Sequence, residues 1–219
     1  PVRPDLRRTL LAELRAWRGD RARGGNAQGR ERTSIRAENY MILRAPDAAG
    51  HKLAGQVHDP ATRKSRRAAR VAEKLRRNRR LWDLAQEAMR DVDPTFASRC
   101  TEMAVTYGFV GSPHIDKQNC GPFYGLALGD FEEGTGGVCV ECSARVVAVV
   151  DTRNRLGRID GRYPHWVCPY DASKDRFSLI YYETGGKFVT PGPPIFFLPT
   201  HCKESDGGVQ KDVASTCNE

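Results

Sequence analysis

The sequence lacks any run of about 18 apolar residues, which a helix needs to cross a membrane, so no membrane span or membrane partner is predicted. It also lacks a secretion signal, because its first twenty residues mix Arg, Asp and Glu with Leu and contain no apolar segment. The chain starts at Pro1 instead of a methionine, which is typical of a piece of a longer protein. These absences predict an intracellular protein.

Cysteines are too few and too irregular for a disulfide framework. There are seven, an odd number, and no secretion signal accompanies them, so reduced thiols are expected. Cys139 and Cys142 form one CxxC pair, but a structural zinc ion needs four ligands and no second pair or nearby His is present. In a strand the two side chains would also face opposite sides, so we interpret them as packing residues.

Acidic residues are scarce in one stretch that holds much of the net charge of +8. Positions 63–80 contain ten Lys and Arg residues, and Glu73 is the only acid among them. Such a cluster is either a solvated helix face or a surface that contacts phosphates, and the mutual repulsion of the cations favours the second interpretation. The candidate phosphate contacts are Arg66, Arg67, Arg70 and Arg77.

Hydrophobic spacing predicts two helices in the first half of the chain. Leu6, Leu10, Leu14 and Trp17 recur at helical spacing, which predicts a helix over 5–17 that Gly19 ends. Asp59-Pro60 is a helix start, and an apolar stripe then runs to Pro94, which is expected to stop that helix. Residues 40–43 are a short candidate strand between them.

From residue 100 the pattern changes to short segments rich in β-branched and aromatic residues, separated by Gly, Pro, Asn or Asp. The predicted strands are 103–110, 122–128, 138–141, 146–150, 166–170, 177–182 and 195–198. Strands of this number and spacing are typical of a sandwich, barrel or jelly roll. We therefore divide the chain into a basic helical region (1–94) packing on the core, a β core (95–200) and a polar tail (201–219).

Three residues form a candidate iron site. His114 and Asp116 stand at positions i and i+2, so in an extended segment their side chains point to the same face. A second histidine, His165, lies further on in the β-rich region. Two histidines and one carboxylate on one side of the ion are the ligand set of non-haem iron oxygenases. Taken alone, the His-x-Asp pair is a weak signal, and an isolated His165 would more often be a core or turn residue.

Arg176 strengthens this interpretation. It begins a predicted strand in which Arg176, Ser178 and Tyr182 share one face. An arginine turned into a barrel would be costly unless it binds an anion, and a guanidinium can hold a carboxylate with two hydrogen bonds. The alternative is that this face meets solvent and the arginine is ordinary.

The ordered set His114-x-Asp116, His165, Arg176-x-Ser178 resembles the double-stranded β-helix dioxygenases that use 2-oxoglutarate, over roughly residues 95–200. Within them it is most similar to the TET/JBP family, in its short single-domain algal, protist and fungal members. Asn119, five residues after His114, and Tyr182 match positions where that family contacts the target base.

The resemblance implies an α+β fold with a double-stranded β-helix core and supporting N-terminal helices. It implies that His114, Asp116 and His165 bind Fe(II) and that Arg176 and Ser178 bind 2-oxoglutarate, with O2 as oxidant and ascorbate as a candidate reductant. The expected substrate is the methyl group of 5-methylcytosine or thymine in DNA, on a base that is flipped out. Asn119, Tyr182, Tyr124 and Trp166 would contact that base, and Phe123 is a further candidate for lining its pocket. The protein would work as a nuclear monomer.

Some features depart from the family. Animal TET proteins carry a Cys-rich zinc region and a long insert that this chain lacks. Two other hypotheses stay open at this point: a dioxygenase of the same fold that acts on RNA, alkylated bases or protein, and a non-catalytic basic module that binds nucleic acid. A variant that uses another co-substrate in place of 2-oxoglutarate is also compatible with the sequence.

Overall fold

A computed structural model describes residues 1–23, 36–45, 63–185 and 187–190 of the chain. The helices are α1 (Pro4–Arg23), α2 (Arg63–Arg77), α3 (Arg79–Arg90) and α4 (Pro94–Arg99). The strands are β1 (Asn39–Arg44), β2 (Glu102–Tyr107), β3 (Phe123–Gly129), β4 (Val138–Ser143), β5 (Val146–Val150), β6 (Leu156–Ile159), β7 (His165–Val167) and β8 (Arg176–Tyr182). No helix in these ranges is both long and apolar enough to cross a membrane.

The strands form two antiparallel sheets that face each other. The larger sheet has the order β1-β2-β8-β3-β6, and the smaller has the order β5-β4-β7, which a bridge between His114 and His165 extends by one more chain segment. Phe123 and Ile159 from the large sheet pack with Val140 from the small one, so the sheets share an interior. This arrangement is the predicted α+β fold with a double-stranded β-helix core.

The two faces of the large sheet have different surroundings: one packs against helices and the other lines a cavity. On β8, Phe177, Leu179 and Tyr181 are fully buried in an apolar cluster with side chains of α1 and α3. Arg176 and Ser178 alternate with them and point to the space between the sheets. The predicted division of this strand into two faces is confirmed. Because α1 and α3 cover one face of the large sheet, only the opposite face, which lines the space between the sheets, can contribute side chains to a binding site there.

Two helix predictions were wrong in detail. Helix α1 continues through Gly19 to Arg23, since nothing crowds that glycine and tertiary packing outweighs its propensity cost of about 1 kcal/mol. The long helix is broken at Asn78, whose side chain donates to the Lys74 carbonyl at 2.8 Å and competes with the regular backbone pattern. Pro94 was predicted to stop this helix, but α3 already ends at Arg90, and Pro94 begins α4 with Asp93 as the N-cap.

The β region also holds differences from the predictions. Strand β6 went unpredicted because Leu156–Ile159 contains Gly157 and Arg158 and has no clear alternation. Cys139 and Cys168 form a disulfide, so the expectation that all thiols are reduced was wrong for this pair. Its cause is the register of β4 and β7, which brings the two cysteines together although 29 positions separate them. The helix start at 59–60, the strand at 195–198 and the tail lie outside the described residues.

Candidate iron and carboxylate site

The predicted iron ligands converge. His114 and Asp116 lie on the segment that bridges to β7, and His165 begins β7. One ligand atom from each of the three residues lies within 4.8 Å of the others. Asp116 Oδ1 is 3.9 Å from His114 Nε2, and Asp116 Oδ2 is 4.0 Å from His165 Nε2. These three side chains are therefore placed to share one metal ion.

The two imidazoles are oriented for metal binding. His114 Nδ1 lies 2.7 Å from the Ser112 carbonyl oxygen, and His165 Nδ1 lies 3.0 Å from that of Tyr163. Because a carbonyl can only accept, each Nδ1 donates to it, and Nε2 is the ring nitrogen of each histidine that is left to bind a metal. Burial also lowers the pKa of His165, which favours the neutral form that a metal requires.

Asp116 is held from two sides. Its backbone N–H donates to the Gly161 carbonyl at 2.7 Å, and its Oδ2 accepts from Asn119 Nδ2 at 2.9 Å. A Cβ on Gly161 would lie 2.8 Å from Asp116 Oδ2 and 2.7 Å from the Phe123 ring, so only glycine fits this position. Asn119 was predicted to read a base; in the structure its amide group positions a metal ligand.

Arg176 is buried, and no carboxylate in the described part of the chain forms an ion pair with it. Its Nη1 donates to Ser178 Oγ at 2.8 Å and its Nη2 to the Gly136 carbonyl at 2.6 Å, while its buried Nε has no partner among the described residues. Aromatic rings of Phe131 and Tyr170 lie 5.5 Å and 4.9 Å from the guanidinium carbon. Burial lowers the pKa of Arg176 to about 10, so it stays a cation at neutral pH. A buried cation of this kind calls for an anion.

Thr106 adds an unsatisfied hydroxyl that sequence reasoning missed. It faces Ser178 in the β2–β8 register and is buried, and its Oγ1 has no hydrogen-bond partner within the described ranges. A threonine in an apolar strand carries no distinguishing signal, so only the cross-strand pairing could reveal it. Thr106, Ser178 and Arg176 together offer donors to one acceptor, which suits a carboxylate.

One cavity of about 570 Å³ connects the two groups. Its wall includes the three candidate iron ligands, Arg176 and Ser178. Phe123 also lines it, with its ring centre 5.5 Å from that of His165. The predicted substrate contacts Asn119, Trp166 and Tyr182 line the same cavity. The Tyr182 hydroxyl donates to Glu102 Oε2 at 3.0 Å.

Tyr124 does not contribute to this cavity, and its predicted substrate contact was wrong. Adjacent residues of a strand face opposite sides, so Phe123 points inward and Tyr124 points towards the helices. Its ring packs edge-on against Phe96 at 4.9 Å, and its hydroxyl donates to Asp93 Oδ2 at 2.9 Å. Tyr124 is therefore a core residue.

The basic helix is α2, and it lies beside β1, the edge strand of the large sheet. Three of the predicted phosphate contacts, Arg66, Arg67 and Arg70, are exposed. Arg77 is also exposed but donates to Glu73 at 2.7 Å, and hydrogen bonds from Arg76 and Arg77 lower the pKa of that glutamate to about 2. Arg44 of β1 lines both the cavity and a groove under α2. Arg44 thus links the groove under α2 to the cavity wall.

His114, Asp116 and His165 fit an iron ion, and Arg176, Ser178 and Thr106 fit a carboxylic acid. Two neutral imidazoles and a carboxylate bind one face of Fe(II), which leaves positions for further ligands. The buried Arg176 Nε and Thr106 Oγ1 are donors that an anion would satisfy. The arrangement can therefore hold a redox metal and an organic acid in the same cavity.

No family model matches the sequence, and no curated protein is significantly similar to it. Among solved structures, NgTET1 in complex with 5mC DNA is 10% identical at a TM-score of 0.44, over 84% of this chain and 70% of that one. A dioxygenase for auxin oxidation from rice is 19% identical at 0.44, over 87% and 74%. A prolyl-4-hydroxylase from Pseudomonas putida is 17% identical at 0.39, over 83% and 89%. Similarities this remote carry no argument about substrate.

Proposed function

We propose that this protein is an Fe(II)- and 2-oxoglutarate-dependent dioxygenase that oxidises the methyl group of 5-methylcytosine or thymine in DNA. One observation carries the proposal: His114, Asp116 and His165 converge within 4.8 Å on a cavity whose wall also holds a buried arginine. When bound, iron, O2 and 2-oxoglutarate supply the oxidant that converts a C–H bond into C–OH, with release of succinate and CO2.

The chain contributes binding, orientation and exclusion of water. His114, Asp116 and His165 hold the iron from one side. Arg176 and Ser178 hold the distal carboxylate of 2-oxoglutarate, and the aromatic rings beside Arg176 keep water from it. Because the cavity lies between two sheets, a methyl group within a duplex cannot reach it, so the base enters flipped out or single-stranded.

The choice of DNA is supported by charge. The exposed arginines of α2 form a cationic surface beside β1, and a surface of this kind binds phosphates without regard to sequence. The cavity wall carries several aromatic side chains and two amides, Gln118 and Asn119, which suit a planar base. A peptide substrate would not need so basic a helix.

The test is mass spectrometry of nucleosides from DNA that contains 5-methylcytosine, after incubation with the protein, Fe(II), 2-oxoglutarate and O2. Thymine-containing DNA, methylated RNA and peptides are treated in parallel, and succinate is measured in each. The expected result is an oxidised base from DNA with matching succinate, and none with Asp116→Ala. Product from RNA or peptide alone would contradict the DNA assignment, and DNA binding without any turnover would make the protein a basic binding module.

A further inference from the structure

Besides Asp116, the described part of the cavity wall carries one carboxylate, Glu102 at the start of β2. Its side chain is only 15% exposed. It lies opposite both Tyr182 of β8 and Arg44 of β1, so the three side chains share one face of the sheet. No part of the iron or carboxylate chemistry above uses this group, although it faces the same space.

Three donors fix the position of Glu102. Its Oε1 accepts from Arg44 Nε and from Thr184 Oγ1, each at 3.2 Å, and its Oε2 accepts from the Tyr182 hydroxyl at 3.0 Å. Burial raises the pKa of Tyr182, so that hydroxyl keeps its proton and donates. An ionised carboxylate accepts about four hydrogen bonds. The described partners occupy three positions and leave one on Oε2.

Glu102 lies away from the end of the cavity that Arg176 and Ser178 line. Ser178 and Tyr182 are four positions apart along β8, which is roughly 13 Å in a strand. Tyr182 packs in one apolar cluster with Phe123, and the Phe123 ring neighbours that of His165. The Glu102 end of the cavity is therefore separate from the Arg176 end, and the cluster that contains Tyr182 and Phe123 reaches the ring of His165.

We infer that Glu102 is a specificity-determining residue that accepts a hydrogen bond from the 4-amino group of 5-methylcytosine and excludes thymine. This inference rests on the proposed function and deepens it. A carboxylate can only accept, so it pairs with the exocyclic amino group of cytosine. Thymine carries a carbonyl oxygen at that position, and two acceptors face to face repel. The flanking Tyr182 ring offers a surface for the base to lie against.

The first test changes the ligand and leaves the protein intact. Single-stranded oligonucleotides carry 5-methylcytosine, thymine or 5-methylpyrimidin-2-one at one position, and their binding to the metal-free protein is measured by fluorescence anisotropy. The third base has neither the amino group nor the carbonyl at position 4. We expect 5-methylcytosine to bind roughly tenfold or more tightly than thymine, with the third base between them. Equal binding of all three would overturn the inference.

The second test uses Glu102→Gln, with Glu133→Gln on an exposed loop as the matched control. The glutamine amide can turn an N–H towards a carbonyl, so the preference for 5-methylcytosine should shrink to about twofold or less. The control should keep the wild-type ratio. Melting temperature and Fe(II) binding establish that the variant is folded, and an unchanged ratio in a folded variant would overturn the role of Glu102.

These tests separate two kinds of failure. If the wild-type protein oxidises bases in DNA but treats cytosine and thymine alike, only the role of Glu102 is lost. If it binds none of the oligonucleotides and oxidises none of them, the proposed function is lost and this inference with it.

Discussion

His114 and His165 exchange two backbone hydrogen bonds, from each N–H to the carbonyl of the other, at 3.1 Å and 3.0 Å. The ladder that closes the small sheet therefore also sets the separation of two candidate metal ligands. Their imidazole centres lie 4.3 Å apart as a result. Side-chain substitutions leave these backbone contacts intact, so the metal site can be tested without loss of the sheet.

The first prediction concerns the metal. Asp116→Ala should abolish turnover and weaken Fe(II) binding strongly, because two neutral imidazoles alone are a poor site for a ferrous ion. Anaerobic titration calorimetry measures the binding, and far-UV circular dichroism shows whether the fold is kept. Asp171→Ala, at an exposed carboxylate away from the cavity, is the control and should bind iron normally. Normal iron binding by the Asp116 variant would remove the metal assignment.

Arg176 should govern the affinity for 2-oxoglutarate. Arg176→Ala removes a charge-assisted hydrogen-bonded pair worth about 1.5–3 kcal/mol, so the dissociation constant should rise about tenfold to more than a hundredfold. Arg176→Lys keeps the charge and should restore part of the affinity, since a lysine cannot reproduce the two-point contact. An unchanged dissociation constant in a folded Arg176→Ala protein would falsify this role.

Thr106 should contribute to the same subsite. Thr106→Val keeps the shape of the side chain and removes the hydroxyl, which has no partner among the residues described. Loss of an unpaired buried hydroxyl should leave stability equal or slightly higher, and it should weaken 2-oxoglutarate binding by about 1 kcal/mol. Thermal unfolding and calorimetry report the two quantities separately. A variant that is destabilised but binds normally would show that Thr106 is only a packing residue.

The arginines of α2 should control the salt dependence of DNA binding. The test variant replaces four of them with glutamine: Arg66, Arg67, Arg70 and Arg77. A control variant makes the same charge change at exposed positions elsewhere: Arg8, Arg90, Arg99 and Arg145. Each lost phosphate contact should lower the slope of log affinity against log salt by about 0.9. If both variants show equal slopes, the helix is an ordinary solvated surface.

Asp93 should stabilise the fold in a pH-dependent way. Its Oδ1 accepts from the Phe96 N–H at 2.8 Å as the cap of α4, and this bond lowers its pKa below the ordinary value of 3.8. A lowered folded pKa means that the contribution is complete above about pH 4 and is lost as the pH falls through the folded value. Asp93→Ala should therefore cost about 1–2 kcal/mol at pH 7 and less at pH 3.

Urea unfolding at both pH values measures this difference. Asp93→Asn is the matched control, because asparagine also caps a helix but does not ionise. Asp93→Asn should keep most of the free energy of unfolding at pH 7, and the contribution of residue 93 should then no longer change between pH 7 and pH 3. A constant effect of Asp93→Ala at both pH values would show that its charge contributes nothing.

The parts of the site that could be predicted are those that depend on local geometry. A two-residue period placed His114 with Asp116 and Arg176 with Ser178, and both pairs are found as expected. Their meeting in one cavity depended on the resemblance to a known family. The alternation of side chains along a strand should also have excluded Tyr124 as a substrate contact, because it follows Phe123, whose side chain faces the cavity.

The remaining features arise from contacts between distant parts of the chain. Thr106 and Glu102 gain their surroundings from the β2–β8 pairing, which no local pattern encodes. The break at Asn78 depends on a single side-chain hydrogen bond to a backbone carbonyl. The pairing of Cys139 with Cys168 follows from strand register, and spacing along the sequence cannot supply it.

That disulfide has a practical consequence for biochemical work on the protein. It joins β4 to the residue that follows β7, the strand that supplies His165. Thiols such as dithiothreitol, often added to keep iron ferrous, also open disulfides by exchange, whereas ascorbate has no thiolate for that reaction. Ascorbate is therefore the reductant that leaves the link between β4 and the end of β7 intact.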